Sequence, residues 1–248
     1  SCTEDVWATY TCSGCGRNEA RQLKATGHNY VDGVCTRCGF HLDDLLDDVY
    51  DVYSEFPDIW QVGTWAHESI EFVCRNGYFS GMGNGEFAPN RTMTRAMLVK
   101  VLYNYAGPLD GEKTYENPFS DVKQGDWFYK AVTWAAEKGI VAGMGGGIFA
   151  PNEKITREQI AAIFYRFDQW MAEEYDNGEG YHTDIDRRAE LSAFPDAAQV
   201  SSWAADAMSW AVGNELISGS REGDAVYLCP RNDATRAQVA CIFDRYLR

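Results

Sequence analysis

The sequence predicts a mainly α-helical fold: three helix-loop-helix repeats packed on one another, preceded by a small cysteine-rich module. Three observations predict it. A segment built from F-x-D, a tryptophan, a glycine turn, an apolar-x-Pro loop and Thr-Arg occurs three times, starting at Phe56, Phe119 and Phe194. Apolar residues recur at helical spacing on both sides of each loop. Five of the eight cysteines fall in the first 38 residues, so the remainder is cysteine-poor. A repeat is read first because each copy is one supersecondary unit that buries its apolar face only against its neighbours.

Residues 1–42 are polar and lack periodicity. They hold Cys12-x2-Cys15 and Cys35-x2-Cys38, each pair followed by a glycine, Gly16 or Gly39. Thiolates at i and i+3 on two such knuckles fit one tetrahedral zinc. Small loops without a core gain their folding energy from the metal. Disulfides, which an oxidising compartment favours, and free thiols stay open as other readings. Residues 43–55 read as an acidic linker helix, with Leu45, Leu46, Val49 and Val52 at helical spacing and aspartates at its start.

The repeats span residues 56–108, 119–168 and 194–248, with a linker at 169–193 that starts helically. In the second, Phe128, Ala131, Val132, Ala135 and Ala136 form one helical stripe, and Gly139 is placed to stop it. Gly143 to Gly147 make a turn-rich loop. Thr156 then reads as an N-cap, and Ile160, Ala161, Ile163, Phe164 and Phe167 as the buried face of a second helix. Thr94 with Leu98, Val99, Leu102 and Tyr103, and Thr235 with Val239, Ile242, Phe243 and Tyr246, repeat that pattern. Spacing is nearly fixed: Trp65 to Arg95 and Trp127 to Arg157 are 30 residues each, and Trp203 to Arg236 is 33. The third copy also has Glu215 where the others have Gly77 and Gly139, and a longer loop through Arg221 to Tyr227.

The net charge of −15 argues against nucleic acid, whose affinity comes from Lys and Arg on phosphates, and against non-specific adhesion to an anionic surface. No apolar run is long enough to cross a membrane. The chain begins at Ser1 in cysteine-bearing sequence with no leader, which reads as a piece of a longer protein. Gly81 to Gly85 and Gly143 to Gly147 lack the strand and the Gly-Lys-Ser/Thr of a phosphate loop. No paired-carboxylate or Ser/His/Asp constellation is recognisable, so the expectation is binding and not catalysis. Cys74, Cys229 and Cys241 read as buried small residues, with a Cys229–Cys241 bridge as the other reading.

The three segments resemble the S-layer homology family over residues 56–248, on the F-x-D openings, the tryptophan, the glycine turn, the F-x-P loop and the Thr-Arg step. The resemblance implies a three-pronged pseudo-trimer around a central helical bundle. It implies non-covalent anchoring of a surface protein to the cell wall, through secondary wall polysaccharide of the pyruvylated N-acetylmannosamine type bound in grooves between repeats. That places the protein outside the cell, at the wall or surface layer. Carried onto this sequence, Arg95, Arg157 and Arg236 are the principal contacts. Asp58, Asp121 and Asp196 bind sugar hydroxyls or orient the groove, and Trp65, Trp127 and Trp203 line it. The family's usual glutamate two residues after the arginine is Met97, Gln159 and Gln238 here. With the altered third loop, this implies unequal grooves, the third and its Arg236 being the weakest. A protein-binding adhesin or self-assembling surface-layer module is the other reading, with host or surface proteins as partners through regions preceding this chain. The cysteine module resembles zinc-ribbon-like repeats of clostridial surface proteins, which brings in Cys2 and His28 as alternative ligands.

The chemistry suits the residues. A guanidinium grips a carboxylate with a bidentate fork, and a helix N-terminus adds field of the same sign. Tryptophan offers a flat face for a sugar ring. The other reading of each arginine is a structural pair with a nearby aspartate.

Overall fold

In the computed structural model, residues 6–11, 18–23, 30–31, 34–35, 52–107, 113–175 and 183–248 are described. The chain divides into two units, residues 1–51 and 52–248. The first contains two antiparallel hairpins, β1 (Val6–Thr11) with β2 (Asn18–Leu23), and β3 (Tyr30–Val31) with β4 (Val34–Cys35). Cys2, Cys12, Cys15, His28 and Cys38 lie outside the described residues, and Cys35 is described only as strand backbone. Residues 43–51 of the expected linker helix also lie outside them; its last turn is α1 (Val52–Glu55).

The second unit is helical, as the repeats predict. Each repeat contributes a first helix, α2 (His67–Arg75), α4 (Tyr129–Glu137) or α6 (Ala205–Gly213), and a second, α3 (Arg95–Ala106), α5 (Arg157–Tyr175) or α7 (Arg236–Leu247). The second helices start where the threonines place them. The hydroxyls of Thr94, Thr156 and Thr235 accept from the backbone N–H of Met97, Gln159 and Gln238 at 3.3, 3.4 and 3.3 Å. The Gln159 and Gln238 side chains accept in return from the N–H of Thr156 and Thr235, completing a capping box that Met97 cannot form. The first helices stop at Gly77 and Gly139 with φ of 72° and 71°, and the third copy forces Glu215 into the same left-handed region at 62°.

The chief helix pairings run between repeats: α4 packs on α3, α6 on α5, and α2 on α7. Trp134 of α4 meets Tyr103 of α3 at 5.4 Å between ring centroids, and Trp210 of α6 meets Tyr165 of α5 at 5.3 Å. Ser69 of α2 donates to Asp244 of α7 at 2.7 Å. The second helices share an aromatic cluster: Tyr105 lies 5.6 Å from Phe243, and Phe167 lies 5.8 Å from Tyr246. All the second-helix residues assigned above to the buried face are buried except Tyr103, which is half-buried. Trp134 and Trp210, which the stripes omit, are fully buried too. α5 runs without a break through the expected boundary at 168 to Tyr175. Asp168, buried in it, accepts from Thr183 Oγ1 at 2.5 Å and from the Tyr246 hydroxyl at 2.9 Å. The extra length of the third loop folds as a hairpin, β5 (Ser220–Glu222) with β6 (Ala225–Tyr227).

Candidate functional site

The F-x-D aspartates build the loops. Asp58 accepts from the backbone N–H of Phe87 and Ala88 at 2.9 and 2.7 Å. Asp121 accepts from Phe149 and Ala150 at 2.9 and 2.8 Å, and Asp196 from Leu228 and Cys229 at 2.8 and 2.7 Å. The second residue of each pair sits at positive φ without being glycine: Ala88 at 57°, Ala150 at 59° and Cys229 at 50°. That backbone costs an L-residue roughly 1–2 kcal/mol, and the carboxylate fork holds it in place. Burial alone would raise the Asp121 carboxyl, but the amides of Phe149 and Ala150, with its own amide and Lys123, together hold it below the usual carboxylate range. The second turn glycine completes the joint. A Cβ on Gly81 would lie 2.4 Å from the ring of Phe56.

The arginines reach across repeats. Arg95 Nε donates to Phe149 O at 2.9 Å and its Nη2 to Ala142 O at 3.2 Å. Arg236 Nε donates to Phe87 O and its Nη2 to Ser80 O, both at 2.7 Å. Arg157 Nε donates to Leu228 O at 2.8 Å. The first repeat thus grips the second, the second the third, and the third the first. All three arginines are buried, and none pairs with a carboxylate among the described residues. Burial pushes the Arg236 pKa down to about 10, with Arg91 contributing, which leaves the group charged at neutral pH. Arg95 lies over the Phe149 ring at 4.8 Å and Arg236 over Phe87 at 4.6 Å. Leu228 offers Arg157 no ring.

Beside each arginine is a groove. The one at Arg236 has a volume of about 410 Å³ and is lined by Ser80, Met97, Lys100 and Trp127, among others. The one at Arg95 has about 310 Å³, with Ala142, Gln159, Arg166 and Trp203. The one at Arg157 has about 300 Å³, with Ser218, Gln238, Arg245 and Trp65. In every case one repeat supplies the arginine, the next the turn and second helix, and the one after that the tryptophan. No aspartate or glutamate lines any of the three. Trp65, Trp127 and Trp203 are 58%, 59% and 56% exposed, so they are groove edges and not core.

The structure therefore brings the sequence-predicted arginines and tryptophans together, but from different repeats. The aspartates are behind the loops, with both carboxylate oxygens engaged by backbone. The altered third loop surrounds Arg157, whereas Arg236 enters the regular loop of the first repeat. The irregularity expected at Arg236 falls on Arg157. Sequence reasoning missed the second cations, Lys100, Arg166 and Arg245. The signal was present: Gln159 to Arg166 and Gln238 to Arg245 are each seven residues, two turns along one helix face. Cys74, Cys229 and Cys241 are unpaired, so the Cys229–Cys241 bridge is absent.

Comparison with known proteins adds a family. The S-layer homology domain matches residues 55–96, 118–161 and 193–223. The Surface-layer 125 kDa protein of Lysinibacillus sphaericus is 31% identical over 192 residues, 77% of this chain and 15% of that protein. An Amylopullulanase of Thermoanaerobacterium thermosulfurigenes is 32% identical over 178 residues, 72% of this chain and 9% of the enzyme. The S-layer protein sap of Bacillus anthracis is 30% identical over 117 residues, 46% of this chain and 14% of that protein. The chain spans only a small part of the length of each.

Proposed function

The chain carries three S-layer homology segments, and on that premise we propose that residues 52–248 hold their protein to the cell wall by binding an anionic wall polysaccharide. The segments put the chain at the cell surface, in association with the wall. The observation that carries the binding proposal is charge segregation. In a protein of net charge −15, three separate grooves carry cations that pair with no carboxylate among the described residues, and no carboxylate lines them. The arginines hold the loops through backbone carbonyls and not carboxylates, which leaves the cation's charge unneutralised.

Each arginine spends Nε on a carbonyl, and Arg95 and Arg236 spend one Nη as well. The remaining guanidinium edge faces an acid group of the ligand, with Lys100, Arg166 or Arg245 as the second cation. The pyruvyl ketal of N-acetylmannosamine supplies one carboxylate on a compact sugar, which suits a groove of this size and an exposed tryptophan for stacking. Asp58, Asp121 and Asp196 act indirectly, by fixing loop carbonyls that aim the arginines. The cyclic grip of arginines on loops supports a three-pronged arrangement around the second helices. Surface-layer proteins and an amylopullulanase share this one segment, which supports attachment, and not catalysis, as its role.

Walls bearing the secondary polymer should pellet the protein, and walls stripped of it should not. Soluble pyruvylated N-acetylmannosamine should compete the binding away. Equal pelleting with both preparations would defeat the proposal, and binding that survives the sugar would favour a protein partner. For the first unit, Cys12 and Cys15 fall between β1 and β2 in sequence, and Cys35 and Cys38 fall at and after the end of β4. Two Cys-x2-Cys pairs at this spacing in the sequence fit a structural zinc. Elemental analysis returning about one zinc per chain supports that assignment, and none removes it.

A further inference from the structure

The three grooves are unequal in charge, and the inequality does not follow the loop irregularity. The groove at Arg236 is also lined by Arg91 and Lys100, giving it three cations. The other two have two each, Arg95 with Arg166 and Arg157 with Arg245. The second and third repeats place Glu153 and Asn232 at the position of Arg91, and Ala162 and Cys241 at that of Lys100. Neither Arg91 nor Lys100 pairs with a carboxylate among the described residues. Lys100 instead stands over the Tyr103 ring at 5.0 Å. Burial lowers its pKa and, as the first cause, that of Arg236, against whose charge Arg91 acts while Asp58 acts for it. This groove is also the largest of the three, at about 410 Å³ against about 310 and 300 Å³.

One negative charge leaves two of these cations unmatched; two negative charges leave one. We infer that the groove formed by Arg236, Arg91 and Lys100 selects a sugar unit carrying two negative charges, while the other two grooves take singly charged units. The inference rests on the reading of the grooves as glycan sites. It makes Arg91 and Lys100 the residues that set charge specificity, and it gives one domain two kinds of contact along a polymer.

Each groove has its own exposed tryptophan, so the indole N–H signals of Trp127, Trp203 and Trp65 report the three sites separately in one NMR titration of the full chain. The probes are N-acetylmannosamine 6-phosphate, a dianion at pH 7.5, and the 6-sulfate, a monoanion of nearly the same shape. At Trp127 the phosphate should bind about tenfold more tightly than the sulfate, the worth of one further charge-assisted hydrogen bond. At Trp203 and Trp65 the two should bind alike. Arg91→Gln and Lys100→Gln should each remove most of the preference at Trp127. A preference that is equal at all three tryptophans, or absent at Trp127, or unchanged in both variants, overturns the inference. The methyl glycoside of 4,6-pyruvylated N-acetylmannosamine forms a third arm. If it shifts none of the indoles, the wall-polymer reading falls, whereas the phosphate-to-sulfate ratio still decides the charge selection on its own.

Discussion

The loops of the second and third repeats do one task with different side chains. In the second, Asp121 holds Phe149 and Ala150; in the third, Asp196 holds Leu228 and Cys229, with distances that agree within 0.1 Å. The backbone joint is the same. What differs is the face shown to the incoming arginine. Phe149 lays a ring under Arg95, and Ala142 adds a second carbonyl. Leu228 gives Arg157 one carbonyl and no ring. The joint therefore uses the loop's main chain, which tolerates Leu228 in place of Phe149, while the ring beneath the arginine depends on that side chain.

The sharpest way to break the comparison is at the joints. Asp121→Ala and Asp196→Ala each strand two loop amides, and each should cost about 3 kcal/mol in urea unfolding. The two costs should agree to within about 1 kcal/mol. A large gap would mean that the joints are not equivalent. Asp121 also gives the joint a pH signature. Its folded pKa lies below its unfolded one, so its stabilisation is present above the ordinary aspartate range and is lost as pH falls through the folded value. In Asp121→Asn, unfolding free energy should therefore depend less on pH below about pH 4.

The arginines should differ where the joints agree. Arg95→Lys loses two charge-assisted bonds and a ring contact, and should cost about 2 kcal/mol; Arg157→Lys should cost about 1 kcal/mol. Equal losses in thermal unfolding would show that the ring and the second carbonyl contribute nothing. Glu215 is a smaller difference. Glu215→Gly should stabilise the protein by about 1 kcal/mol, because the first two copies use glycine at that left-handed position. The smallest expected effect is at the first repeat. Met97→Gln should complete its missing capping box and add about 0.5 kcal/mol.

Local structure was legible because its causes are local. A threonine cap, a glycine stop and a stripe at i, i+3, i+4 act within one helix, and Thr94, Thr156 and Thr235 all cap as read. The partners were not legible. Periodicity says that the face of α4 carrying Val132 and Ala135 is buried; it is silent on whether the cover comes from its own repeat or the one before. A tryptophan at a helix start reads alike in a core and at a groove edge, and only the fold makes Trp127 the border of a groove whose arginine is 109 residues away, at Arg236. The site residues were half legible. Arg95, Arg157 and Arg236 sit in a motif, but Lys100, Arg166 and Arg245 gain meaning only once their helix face is known to line a groove.

The cyclic grip also sets an order in time. A chain emerging from its N-terminus passes Arg95 early, yet the groove beside that arginine is edged by Trp203. The other two need Arg236, and Arg245 with Trp65. No groove can be whole until the third segment has appeared, because the earliest of these closing residues is Trp203. A product cut short before the third segment would thus carry two intact motifs and no complete groove.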